Sequence, residues 1–293
     1  MEIVNSVLVT GAFMAVLGGL LAFFLAIADK RLYVYEDPRI EQVEALLPHS
    51  NCGACGTAGC HNFAEKAVAG QIEPASCTVN TPDQNKLIAA LLGVALGDVE
   101  KRVARLACAG GKHVAKMRAH YSGISSCRAA VAAGGGGKSC AWGCLGLGDC
   151  ADVCDFDAIH MDSHGLPVVD GAKCTACGDC VDICPKNLFS IHGVSHKLWL
   201  ACRNEEDGDV AEAACEVACT ACGRCVVDAA PGLIRLERNL AVIDYAKNES
   251  ANRHAIERCP TGAIVWLEGD QIIKGKSAKK IIRIEPLPAA AEA

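Results

Sequence analysis

Residues 174–187 read CTACGDCVDICPKN. Cys174, Cys177, Cys180 and Cys184 stand in the order C-x2-C-x2-C-x3-C-P, the ligand run of bacterial two-cluster iron-sulfur modules. In that run three thiolates share one loop and the fourth serves the neighbouring cluster. The crossing demands a second triplet and a cysteine to exchange. CAWGCLGLGDCADVC, residues 140–154, supplies both. One [4Fe-4S] cluster is therefore expected on Cys140, Cys144, Cys150 and Cys184, and its neighbour on Cys174, Cys177, Cys180 and Cys154. The wider gaps of the first triplet, and Asp155 where proline usually follows the fourth cysteine, leave the ligand count complete.

Between the two triplets lies DAIHMDSHGLPVVDGAKC, residues 157–174, which reads as strand, turn and strand before a cysteine. Residues 232–248, GLIRLERNLAVIDYAKN, repeat that order with Asn248 where Cys174 stood. CTACGRC, residues 219–225, opens this second module with Cys219, Cys222 and Cys225, but the run ends in Ala229 and Ala230 before Pro231. No downstream triplet exists, since Asn248, Ala251 and His254 hold its register. By the crossing rule Cys259, followed by Pro260, is the fourth ligand of the Cys219 set. The module has lost one cluster as a matched set and kept the other. The rival expectation is that His254 or Asn248 still touches a metal.

Upstream, Cys52, Cys55, Cys60 and Cys77 form C-x2-C-x4-C-x16-C in a glycine-rich loop and beyond the helix that follows it. A cysteine triplet plus one suits a [4Fe-4S] cluster, whereas zinc ribbons usually separate two C-x2-C pairs. A four-cysteine zinc site stays open as the alternative. Cys108, Cys127, Cys202 and Cys215 remain unassigned; they are read as buried small hydrophobes, with a fifth site or a redox-active pair as the alternatives.

The chain has 293 residues, 20 cysteines, 4% aromatic residues and a formal net charge of -6. Such composition favours several small units over one large core. Ile3 to Ala28 carries no charge and exceeds the roughly 20 residues that cross a bilayer core. Glu2 before it and Lys30 and Arg31 after it predict a retained anchor with the amino terminus outside and the cysteine-bearing body in the cytoplasm. A cleaved signal peptide would show a basic start and a cleavage site. A cytoplasmic body disfavours disulfides.

The expected architecture is α+β: a transmembrane anchor over 1–29, a small helical 4Fe-4S domain over 30–80, and a helical linker with a glycine hinge over 81–137. A two-cluster ferredoxin-like domain over 138–194, a degenerate one-cluster module over 195–274 and a basic, then Pro/Ala-rich tail over 275–293 complete it. The tail is expected to be solvated or to meet a partner or anionic lipid. AAGGGGKS, residues 132–139, nearly matches a phosphate-binding loop, but helix-like text precedes it and Cys140 follows at once. No glycine-rich dinucleotide fingerprint follows a strand, and the acidic balance disfavours nucleic acid.

With these residues in view, the anchor, NCGACGTAGC (51–60), GCLGLGDC (143–150) and the CPTGAI ending (259–264) together resemble the B-subunit family of Rnf electron-transport complexes, over nearly the whole chain. The resemblance implies a membrane-bound iron-sulfur electron-transfer subunit in an ion-translocating ferredoxin:NAD oxidoreductase. Its donor would be soluble ferredoxin, its partners the other members of the complex, and it would carry no acid-base catalyst of its own. Many members of that family carry two full ferredoxin modules, from which Ala230, Asn248, Ala251 and His254 depart. A membrane-tethered polyferredoxin serving another redox enzyme, and a zinc-bearing scaffold, are the alternatives.

Overall fold

The structure is a computed structural model and describes residues 2–32, 35–269 and 271–287. Helix α1 (Glu2–Leu32) is apolar along its length, and the side chains described on it lie in the open, Leu8, Phe13 and Phe24 among them. Leu8–Leu32 is long and apolar enough to cross a membrane.

A small helical unit follows. Helix α2 (Pro38–Glu44) starts at Asp37, whose carboxylate accepts from the Arg39 amide at 2.9 Å. Helix α3 (Cys60–Val68) packs on α2, and α4 (Pro82–Leu92) closes the unit, burying Ile88 against Val43 and Phe63. Thr81 and Gln84 form a reciprocal cap at the start of α4, and Gly93 ends it in the left-handed conformation at φ 65°.

Here the structure departs from the expected helical linker. Residues 102–106 are not helical but form strand β1 (Arg102–Leu106). Val103 and Ala104 are both buried although they face opposite sides of the strand, so the five residues carry no inside/outside alternation that would mark a strand in the sequence. The glycine run is no hinge either. After the short helix α5 (Cys127–Ala132), Gly134 to Gly137 all adopt positive φ, and the Gly137 carbonyl accepts from the amides of Arg118 and Ala119 at 2.8 and 3.2 Å. No helix opens behind it, and Lys138 is buried, so the phosphate-loop likeness stops at the letters.

Two successive units then repeat one plan. In the first, helix α6 (Asp149–Asp152) leads to a hairpin of β2 (Ile159–Met161) and β3 (Pro167–Val169), followed by α7 (Asp179–Ile183) and β4 (Phe189–Gly193). Strand β4 pairs antiparallel with β1, Leu106 opposite Phe189, so residues 102–106 belong to this sheet. In the second unit β5 (Leu198–Leu200) is followed by α8 (Gly208–Ala214), α9 (Arg224–Asp228) and a hairpin of β6 (Ile234–Glu237) and β7 (Leu240–Ile243). Strand β8 (Ile264–Glu268) pairs with β5 and with β9 (Gln271–Ile273). Both expected hairpins are present. The second unit has its own core of Leu198, Leu233, Ile256 and Ile264.

The basic tail, expected to be solvated or to await a partner, instead lies along the body up to Leu287. Arg283 donates to the His113 carbonyl at 2.8 Å and pairs with Glu216, Lys279 pairs with Glu212, and the Leu287 amide donates to the Lys112 carbonyl. Residues 288–293 of the expected Pro/Ala-rich end lie outside the described residues.

Candidate iron-sulfur sites

Three of the four expected cysteine sets each surround a cavity of similar size. Cys52, Cys55, Cys60 and Cys77 line one with about 300 Å³ of space, open solvent included. On the same measure Cys154, Cys174, Cys177 and Cys180 line another of about 320 Å³, and Cys219, Cys222, Cys225 and Cys259 a third of about 340 Å³.

Local backbone geometry makes these cavities. In the first, the Asn51 carboxamide accepts from the Cys60 amide at 2.8 Å and turns the cysteine loop onto the start of α3. The CTACG loops of the two later units repeat residue for residue. Ala176 and Ala221 both sit in the left-handed region, at φ 62° and 51°, and Gly178 and Gly223 follow at φ 104° and 73°. A non-glycine residue held there carries a strain of about 1–2 kcal/mol, tolerated where the surroundings fix it. The Ala104 amide reaches Cys174 Sγ at 3.4 Å, and the Leu188 amide reaches Cys184 Sγ at 3.5 Å. Amides aimed at thiolate sulfur stabilise the charged form and tune a bound cluster.

Burial opposes ionisation of the metal-free thiols. It pushes Cys180 and Cys225 up to about 12, with neighbouring cysteines adding to the effect. Thiols in this state release protons when a cluster forms on them.

Cys259 lines the same cavity as Cys219, Cys222 and Cys225. Arg258 beside it makes two bonds to the Asp228 carboxylate at the end of α9, at 2.8 and 2.6 Å, and so fastens its loop to the helix bearing Cys225. Neither Asn248 nor His254 lines this cavity. Asn248 bonds to Ser195 instead, and His254 is exposed. Where the lost cluster would have been ligated, Ala230 and Ala251 pack against the apolar core around Leu233 and Ile256.

The remaining expected set is divided. Cys140 lines a separate cavity together with Cys108, Cys202 and Cys215, with about 330 Å³ of space when open solvent is included. Burial, and then Cys127 and Cys184, hold the Cys150 thiol up at about 12. Burial, and then Cys108, hold the Cys144 thiol up at about 12, with a smaller effect from Cys150. Sequence reading missed the cavity around Cys108 because its cysteines come from four separate segments without motif spacing. Two signals were nonetheless present: the total of 20 cysteines, and the placement of Cys108 and Cys202 just after corresponding strands β1 and β5.

No three His, Cys, Asp or Glu side chains among the described residues converge closely enough to hold a single metal ion. The cysteines stand apart around cavities, an arrangement that suits a bulky cubane better than one zinc ion.

Comparison with known proteins agrees. The family model "Putative Fe-S cluster" matches residues 47–79, and the 4Fe-4S binding domain model matches residues 167–189. The chain is 39% identical over 95% of its length to the B subunit of the Na(+)-translocating ferredoxin:NAD(+) oxidoreductase complex of Acetobacterium woodii, covering 82% of that protein. This chain belongs to the Rnf B-subunit family. The B subunit of the ion-translocating oxidoreductase complex of Methanosarcina acetivorans is 38% identical over 89% of the chain and 98% of its own length. That of the proton-translocating ferredoxin:NAD(+) oxidoreductase complex of Clostridium ljungdahlii is 36% identical over 89% of the chain and 92% of its own length. The Rnf B-subunit chain is thus an iron-sulfur electron-transfer component of an oxidoreductase complex, and its apolar α1 is compatible with membrane association.

Proposed function

We propose that this subunit takes electrons from reduced ferredoxin and relays them within an ion-translocating ferredoxin:NAD oxidoreductase, held to the membrane by α1 with its cysteine-bearing body on the cytoplasmic side. The repeated four-cysteine cavities carry this reading. Ferredoxin and the translocated ion come from the names of relatives that match nearly the whole chain. The α1 side chains in the open and the Lys30 and Arg31 pair support the anchor and its direction.

The ligand sets in this reading are Cys52, Cys55, Cys60 and Cys77; Cys154, Cys174, Cys177 and Cys180; and Cys219, Cys222, Cys225 and Cys259. A fourth cluster uses Cys144, Cys150 and Cys184, with Cys140 as the expected partner. A bound [4Fe-4S] cluster supplies reversible one-electron transfer. The protein binds each cluster by four thiolates, points amides at the sulfur, and excludes water with apolar walls such as Ala104, Ile159 and Leu200. The units over 138–194, with β1 added, and 195–274 act as two ferredoxin-like modules, the second holding one cluster.

Anaerobic mixing with reduced ferredoxin tests the donor: the visible absorption of the full-length protein bleaches within the mixing experiment and recovers on oxidation. If reduced ferredoxin leaves it unchanged while dithionite bleaches it, the donor is wrong and the polyferredoxin alternative gains.

A further inference from the structure

Cys108, Cys127, Cys202 and Cys215 belong to no ligand run in the sequence, yet three of them share a cavity with Cys140. Cys108 follows β1 and Cys140 precedes α6 in the first unit, while Cys202 follows β5 and Cys215 ends α8 in the second. Its space, about 330 Å³ with open solvent included, is of the same extent as that at the three motif sites, at about 300, 320 and 340 Å³.

We propose that Cys108, Cys140, Cys202 and Cys215 hold a further [4Fe-4S] cluster, and that Cys127 takes the place of Cys140 beside Cys144, Cys150 and Cys184. This rests on the reading that the cysteine cavities of this chain hold cubanes. It distributes all 20 cysteines into sets of four.

Two observations independent of cysteine count point to an anionic, hydrogen-bond-accepting occupant. Asn204 lines the cavity, is 1% exposed, and its Nδ2 donor has no partner among the described residues. A buried amide donor without an acceptor is destabilising, and a sulfide or thiolate would satisfy it. Lys138 lines the same cavity and is likewise buried, with Nζ on the carbonyls of Gly110 and Cys144 and no carboxylate partner among the described residues. A buried ammonium calls for a counter-charge. Four thiolates around a cubane give a net negative group that supplies one.

The surrounding backbone is arranged as at the motif sites. The amides of Gly110 and Cys144 reach Cys108 Sγ at 3.4 and 3.5 Å, and the Cys219 amide reaches Cys202 Sγ at 3.3 Å. A Cβ at Gly110 would lie 3.1 Å from Cys215 Sγ, so glycine there lets the backbone approach that sulfur closely. Cys127 is placed for its role by Asp149, whose carboxylate accepts from the Cys127 amide at 2.9 Å. Asp149 directly precedes Cys150, so this bond holds Cys127 beside helix α6, which carries Cys150, while Cys140 lines the other cavity.

The position has a consequence for the relay. Cys144 and Cys219 belong to sites in different units, and both donate amides to sulfurs of this cavity. The site therefore stands between the two units, where the second unit's lost cluster would otherwise leave a gap.

Iron and acid-labile sulfide, determined on the anaerobically purified full-length protein, test the proposal. It predicts about 20 of each per chain; about 16 would overturn it. A Cys202→Ala/Cys215→Ala double variant should lose about four irons and four sulfides and keep the rest. A Cys140→Ala variant should lose the same EPR component as that double variant, and Cys127→Ala a different one. Retention of the full count in the double variant, or loss of the same component by Cys140→Ala and Cys127→Ala, overturns the assignment. Should the variants fail to fold, the wild-type count still decides. Zinc without sulfide in the wild type would instead overturn the cluster reading beneath it.

Discussion

The backbone amide of Cys219 donates to Cys202 Sγ across 3.3 Å. One residue thus places its own thiol in the cavity closed by Cys259 and its amide on a sulfur of the neighbouring cavity. Hydrogen bonds to sulfur are a principal control on cluster potential, so clusters held in the two cavities as proposed would be coupled through this one residue.

Replacing Cys259 by alanine removes the fourth thiolate of the Cys219 set. The variant is expected to lose about four irons and four sulfides, and one EPR component, while the remaining components persist. Metal analysis on the full-length variant checks this. An unchanged iron count would show that Cys259 is a buried hydrophobe and that the crossing rule fails in the second unit.

Asp149, the first residue of α6, caps α5, accepting from the Cys127 amide at 2.9 Å, Ser126 Oγ at 3.1 Å and the Arg128 amide at 3.3 Å. Asp149→Ala leaves these donors unpaired and should lower stability by about 1–2 kcal/mol. Asp149→Asn keeps one acceptor and should recover most of that loss. Urea denaturation followed by far-UV circular dichroism measures both.

Gly137 adopts φ 79°, and a Cβ there would meet the Ala119 carbonyl oxygen at 2.1 Å. Gly137→Ala should destabilise by roughly 1–3 kcal/mol from the conformation alone, and more from the clash. Gly134→Ala, with open space around its Cβ, should show only the conformational part. Equal midpoints for the two variants would mean that the turn is a flexible hinge after all.

His192 is packed among Trp199, Tyr245 and His196. Burial, and then the nearby His196 and Arg105, hold its imidazole down at about 4 from an ordinary 6.5. The folded chain favours the neutral ring, so this contribution to stability is present above pH 6.5 and is lost as pH falls from 6.5 toward about 4. Wild type should therefore lose more stability over that window than His192→Gln. Parallel pH profiles for the two would contradict the assignment.

Legibility tracked how local each feature is. The apolar amino-terminal helix, both hairpins and the grouping of three cysteine sets around hollows could be read because each is written in one short span or in the crossing of two. The lone Cys259 was legible only by applying to the second unit the rule found in the first. Strand β1 was hidden because its pairing with β4 joins residues far apart, and five residues carry little period of their own. The cavity of Cys108, Cys140, Cys202 and Cys215 was hidden for the same reason. It draws one thiol from each of four segments, and the x3 and x5 spacing of Cys140, Cys144 and Cys150 gives no sign that Cys140 lines a hollow with Cys108, Cys202 and Cys215.

Whether these cavities hold redox-active cubanes is decided by visible absorption with EPR, recorded on the anaerobically purified full-length protein before and after reduction. A broad brown absorption that bleaches on reduction is expected, with spin-coupled signals from several neighbouring [4Fe-4S] clusters. A colourless, EPR-silent protein carrying stoichiometric zinc would contradict it.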